Sequence, residues 1–154
     1  MEGKDAVQEA AHAILFAYAG FASISIMDNK CGIAGPERPL LNTLAGVFAG
    51  FTADKFISGL SDDDIWKRTR TDFAELESVL KRRVADSTGH GAVVKEARER
   101  SHTLVNRFKA EILELAGLVE RQGAVNAEEL ESLPYVKRVR ALGIAEDENA
   151  ATAH

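Results

Sequence analysis

Apolar and polar positions along the chain follow two regimes that meet near Ser61. In residues 10–27, AAHAILFAYAGFASISIM, fourteen of eighteen side chains are apolar and none is formally charged. On a helical wheel His12, Phe16, Ala19, Ser23 and Ile26 share one side, which leaves no polar face. A helix that is apolar all round must be enclosed by protein or by lipid. Eighteen residues at 1.5 Å each give about 27 Å, close to a hydrocarbon layer of about 30 Å. The Gly- and Pro-punctuated stretch 28–39, DNKCGIAGPERP, reads as a loop, and Pro39 opens a second apolar helix reaching about Leu60.

That second helix carries Gly46 and Gly50 four apart, beside a ridge of Ala45, Ala49 and Ala53. Small residues at this spacing let another helix approach closely, inside membranes above all, and so mark a helix-packing or oligomerisation face. Asp54 and Lys55 limit a membrane reading: only fifteen uncharged residues separate Arg38 from Asp54, about 22 Å of helix and too short to span. The pair reads as a membrane-interface or functional charge, with Lys55 snorkelling and Asp54 emerging near the headgroups.

Beyond Ser61 the period changes. Ser61 caps a helix expected over 62–86, with Asp62, Asp63 and Asp64 at its positive end. Its seam is Trp66, Thr69, Phe73, Leu76 and Leu80, in steps of three and four. Gly89 and Gly91 then release the backbone for a reversal. A longer helix is expected over 92–121, striped by Val94, Ala97, Ser101, Leu104, Phe108, Ile112, Leu115 and Leu118. The two form, on this reading, an antiparallel pair with a narrow coiled-coil-like seam. Gln122-Gly123 ends the second, Asn126 caps a shorter helix, and Pro134 begins a last one with Gly143 as its stop. Lys137, Arg138 and Arg140 suit the negative end of that helix, or else contact an anionic surface.

The expected fold is therefore all-α: an apolar helical hairpin in 1–60, a charged amphipathic domain in 61–145, and an acidic frayed tail in 146–154. Charge counts sharpen the division, with ten charged side chains in the first sixty residues and thirty in the next eighty-five. A length of 154 residues suits one domain or one domain with an appendage. The net charge of −5 argues against nucleic acid as a partner. One cysteine, Cys31, permits no internal disulfide. A secretory signal is disfavoured, since Glu2, Asp5 and Glu9 outnumber Lys4 ahead of the apolar run.

No catalytic, cofactor or metal signature rises above background. His12, His90, His102 and His154 have no ligand spacing with one another or with Cys31. The pattern favours a non-enzymatic membrane protein, an oligomeric anchor, scaffold or small pore contacting lipid, with its helical domain in the cytoplasm because Lys67, Arg68, Arg70, Lys81, Arg82 and Arg83 come after the second helix. The alternative is a cytoplasmic all-α bundle serving as a protein-interaction or regulatory module, in which the first two helices form the core.

Overall fold

The computed structural model describes residues 1–152 and is mostly helical. Its order is α1 (Gly3–Ala19), β1 (Ser23–Met27), β2 (Lys30–Ala34), α2 (Leu40–Phe56), α3 (Asp62–Arg68), α4 (Arg70–Arg83), a 3₁₀ turn (Ser87–Gly89), α5 (His90–Arg107), α6 (Lys109–Gln122), α7 (Ala127–Ser132) and α8 (Pro134–Thr152). The apolar run at 10–27 is thus a helix only to Ala19. Gly20, at φ +97°, turns the chain out, and its amide reaches back to the Phe16 and Ala17 carbonyls.

After this turn the chain forms a two-stranded antiparallel sheet in place of the expected helix end and loop. Ser23 pairs with Ala34 and Met27 with Lys30. Asp28 and Asn29 form the tight connection, both with positive φ, 52° and 62°, as a two-residue hairpin turn of the primed type requires. Ile24 and Ile26 point into the core while Ser23 and Ser25 are only half-buried. Ile26 also exchanges backbone hydrogen bonds with Val125, both 2.8 Å, which ties the hairpin to the chain ahead of α7.

No helix among the described residues is long and apolar enough to cross a membrane. α1 and α2 have seventeen residues each, about 26 Å at 1.5 Å per residue. That overturns the anchor, scaffold or pore expected from the apolar runs. Protein surrounds both helices instead: α2 packs on α1, α5, α4 and α3, and α1 on α2, α6 and α8. A single cluster of buried apolar side chains runs from Ala6 to Val139 and draws on both sides of Ser61.

The expected long antiparallel pair is also reshaped. The first member breaks at Thr69 (φ −110°, ψ 13°), whose buried hydroxyl donates to the Ile65 carbonyl at 2.8 Å. The second breaks at Phe108 (φ −104°, ψ 21°). α4 and α5 each lie on α2, and α6 turns onto α1, so the two helices do not share a coiled-coil seam. Trp66, expected in that seam, is 55% exposed. The stripe on α5 and α6 is real and faces the core from Ala97 through Leu115.

Local signals at the helix ends act where they stand in the sequence. Ser61 Oγ accepts the Asp64 amide at 3.3 Å, Asn126 Oδ1 accepts the Glu129 amide at 2.8 Å, and Gly123 takes φ +80°. Gly143 does not stop α8, which continues to Thr152. A Cβ there would lie 1.9 Å from the Tyr18 carbonyl oxygen, so this glycine lets α8 touch the end of α1. The segment expected to fray is helical through Thr152, and Glu146 receives two hydrogen bonds from Arg107, 2.7 and 2.8 Å, and one from Tyr18. Residues 153 and 154 of that tail, His154 included, lie outside the described residues.

Candidate functional site

The glycines of α2 make room for side chains of α1. A Cβ at Gly46 would stand 2.6 Å from the Phe16 ring, and one at Gly50 would stand 2.6 Å from His12 Nε2 and 2.9 Å from Asp72 Oδ2. Ala45, Ala49 and Ala53 are fully buried. Into the space beside Gly50 the fold inserts a polar cluster. His12 Nδ1 lies 2.8 Å from the Gly46 carbonyl and Nε2 lies 3.2 Å from Asp72 Oδ2. A ring nitrogen facing a carbonyl must donate, and an imidazolium donates from both nitrogens, to the Gly46 carbonyl and to Asp72.

Its pKa agrees. Burial pulls it down, but the hydrogen bond and charge of Asp72, with the charge of Glu9, hold it up at about 9. Glu9 itself is buried, which raises its carboxyl pKa against the pull of His12, and it accepts the Cys31 amide at 3.1 Å. Burial, reinforced by Glu9, also pushes the Cys31 thiol up, so it stays protonated. Glu9, His12, Cys31, Asp72 and Glu75 border a cavity of about 470 Å³. Among the described residues no group of three His, Cys, Asp or Glu side chains is placed to hold a metal ion.

Asp54 is a core residue with no exposure, not an interfacial one. Its Oδ2 accepts from Arg68 Nε at 3.0 Å and from Gln8 Nε2 at 3.1 Å, and Arg68 continues to Asp5 at 2.7 Å. Burial raises the Asp54 pKa and Arg68 counters it. Asp54 therefore fastens α2 to α1 and α3. Its neighbour Lys55 is exposed, 3.9 Å from Asp62. Lys137 and Arg138 are exposed on α8, while Arg140 bonds Glu131 and, at 3.2 Å, the Phe21 carbonyl.

A different surface gathers aromatic rings, of which Trp66 and Phe56 are exposed and Phe51 and Phe73 half-buried. Trp66 and Phe73 have centroids 5.1 Å apart, Phe73 meets Phe51 edge-on at 6.2 Å, and the Arg98 guanidinium lies over Phe51 at 5.4 Å. Phe56, 50% exposed, stacks on His102 at 4.1 Å. Between α2 and α5, Phe51, Phe56, Val94 and His102 line a groove of about 460 Å³ rimmed by Lys55, Lys95 and Arg98. Comparison with known protein families, curated proteins and solved structures finds no match. The chemistry of the chain therefore rests on its own surfaces. Sequence reasoning misses the aromatic arc because Trp66 fits an apolar period and so reads as inward-facing; the break at Thr69 turns it out.

Proposed function

We propose that this chain is a helical protein-interaction module that docks a partner on the arc of Trp66, Phe73, Phe51 and Phe56. The carrying observation is the arc itself: four aromatic rings, two of them at least half exposed, with an arginine laid across one face. Trp and Arg are enriched among the residues that dominate interface energetics, and aromatic rings, Phe included, are enriched at interfaces in general. An acidic chain has little reason to leave such rings in water unless something covers them. The Glu9–His12–Asp72 cluster supports the same reading from below, since it ties α2 and α4, which carry Phe51, Phe56 and Phe73, to α1.

Selection of a peptide library on the folded protein tests the reading. Enriched peptides are expected to bind the wild type and to lose about tenfold or more in affinity to Trp66→Ala with Phe56→Ala, as hot-spot truncation does, at unchanged helical content. No enrichment, or binders indifferent to both substitutions, refutes it.

A further inference from the structure

The rim of the α2–α5 groove is predominantly basic. Lys55, Lys95 and Arg98 stand on its rim with Glu99, on a protein with a net charge of −5, and Lys55 also lies 3.9 Å from Asp62. Lys95 and Arg98 take part in no ion pair among the described residues, although Glu96 and Arg100 on the same helix do. Arg98 stacks its face on Phe51 and makes no hydrogen bond there, so its N–H edges remain available for a carboxylate. The floor below the rim is apolar, with Phe51, Phe56 and Val94.

Building on the interaction reading, we infer that this groove takes an acidic segment of a protein partner. An aromatic or branched aliphatic side chain of that segment enters over Phe51 and Val94, and flanking carboxylates meet Lys95, Arg98 and Lys55. A volume of about 460 Å³ holds one or two large side chains. The surface then continues past Phe73 to Trp66, a longer track than a small ligand would cover. Asp62, Asp63 and Asp64 lie at the start of α3 near Lys55 and would repel an extended polyanion such as nucleic acid or an anionic bilayer. A peptide that places its acids over the groove alone avoids them.

Two synthetic peptides with the same Leu and Phe residues, one with Glu and the other with Lys at its polar positions, test the inference on the full chain. Amide NMR shifts locate binding in the groove, and emission of Trp66, the sole tryptophan, reports whether the peptide also runs along the arc. The Glu peptide is expected to bind, to shift residues 51, 56, 94, 95 and 98, and to weaken with added salt. Lys95→Glu with Arg98→Glu should cut its affinity about tenfold or more, as reversal of paired interfacial charge does, while the exposed control Lys109→Glu leaves it unchanged. Equal binding of the Lys peptide, shifts away from the groove, indifference to charge reversal, or no binding by either peptide each overturns the inference. A Lys peptide that binds the arc overturns the acidic specificity but supports docking there. Library selection judges docking separately.

Discussion

At the residue scale, glycines and one buried carboxylate carry the sharpest expectations. Gly143→Ala drives a methyl into the Tyr18 backbone, which no rotamer relieves. It should destabilise the protein by about 2 kcal/mol or more, seen as a lower Tm. Gly89→Ala meets no atom within 4 Å at an ordinary negative φ and should be neutral or slightly stabilising. Asp54→Leu leaves Arg68 with Asp5 alone. Removing one partner of a buried pair typically costs about 3–5 kcal/mol, and the loss here should fall below that range because Arg68 keeps Asp5. A denaturant midpoint unchanged by Asp54→Leu would contradict that role. Sequence alone picks out Gly46, Gly50 and Asp54 as unusual, because small residues in register and a charge in an apolar run stand out. It cannot say what they face: His12 and Phe16 approach from thirty-odd residues away in the chain, and no periodicity encodes that meeting.

Among elements, helix ends with a local chemical cause are legible, and breaks made by tertiary packing are not. Ser61, Asn126, Gly123 and Pro134 all act where their chemistry places them. The hairpin has a faint signal in the alternation of Ser23, Ile24, Ser25 and Ile26 before Asp28-Asn29, and the apolarity of the surrounding run masks it. Its turn yields a prediction. Asn29 sits at φ 62°, so Asn29→Gly should stabilise by about 0.5–1 kcal/mol if the turn is unchanged, and Asn29→Ile should destabilise by more. Thermal melts of the two variants should move in opposite directions. The breaks at Thr69 and Phe108 leave no such trace. Both lie on an unbroken apolar period, and the need to wrap α1 and α2 from several sides decides where the helices bend.

For the whole molecule, titration of the buried cluster sets how stability varies with pH. The His12 pKa rises from 6.5 to about 9 on folding, so the folded state holds the proton more tightly. Its contribution is full below 6.5 and disappears as pH climbs through 9, an effect of about 3 kcal/mol at 1.36 kcal/mol per unit. Glu9 and Asp54, with carboxyl pKa values also raised, erode stability in the same direction just above the ordinary carboxylate range. Glu146 opposes them: the Arg107 and Tyr18 hydrogen bonds hold its pKa at about 2, so its smaller contribution is present above 4.5 and lost as pH falls through 2. Denaturant midpoints should therefore decline from mildly acidic to alkaline pH, and His12→Gln should flatten the slope between 6.5 and 9.

The order in which the core is assembled has a consequence for synthesis. α1 precedes the other helices described; α2 can join it early, yet α6 and α8, which cover the rest of it, end only at Gln122 and Thr152. At roughly 5–20 residues per second this apolar helix waits from several seconds to some tens of seconds for its full cover, and a nascent-chain chaperone that masks it during elongation would spare the cell an aggregate.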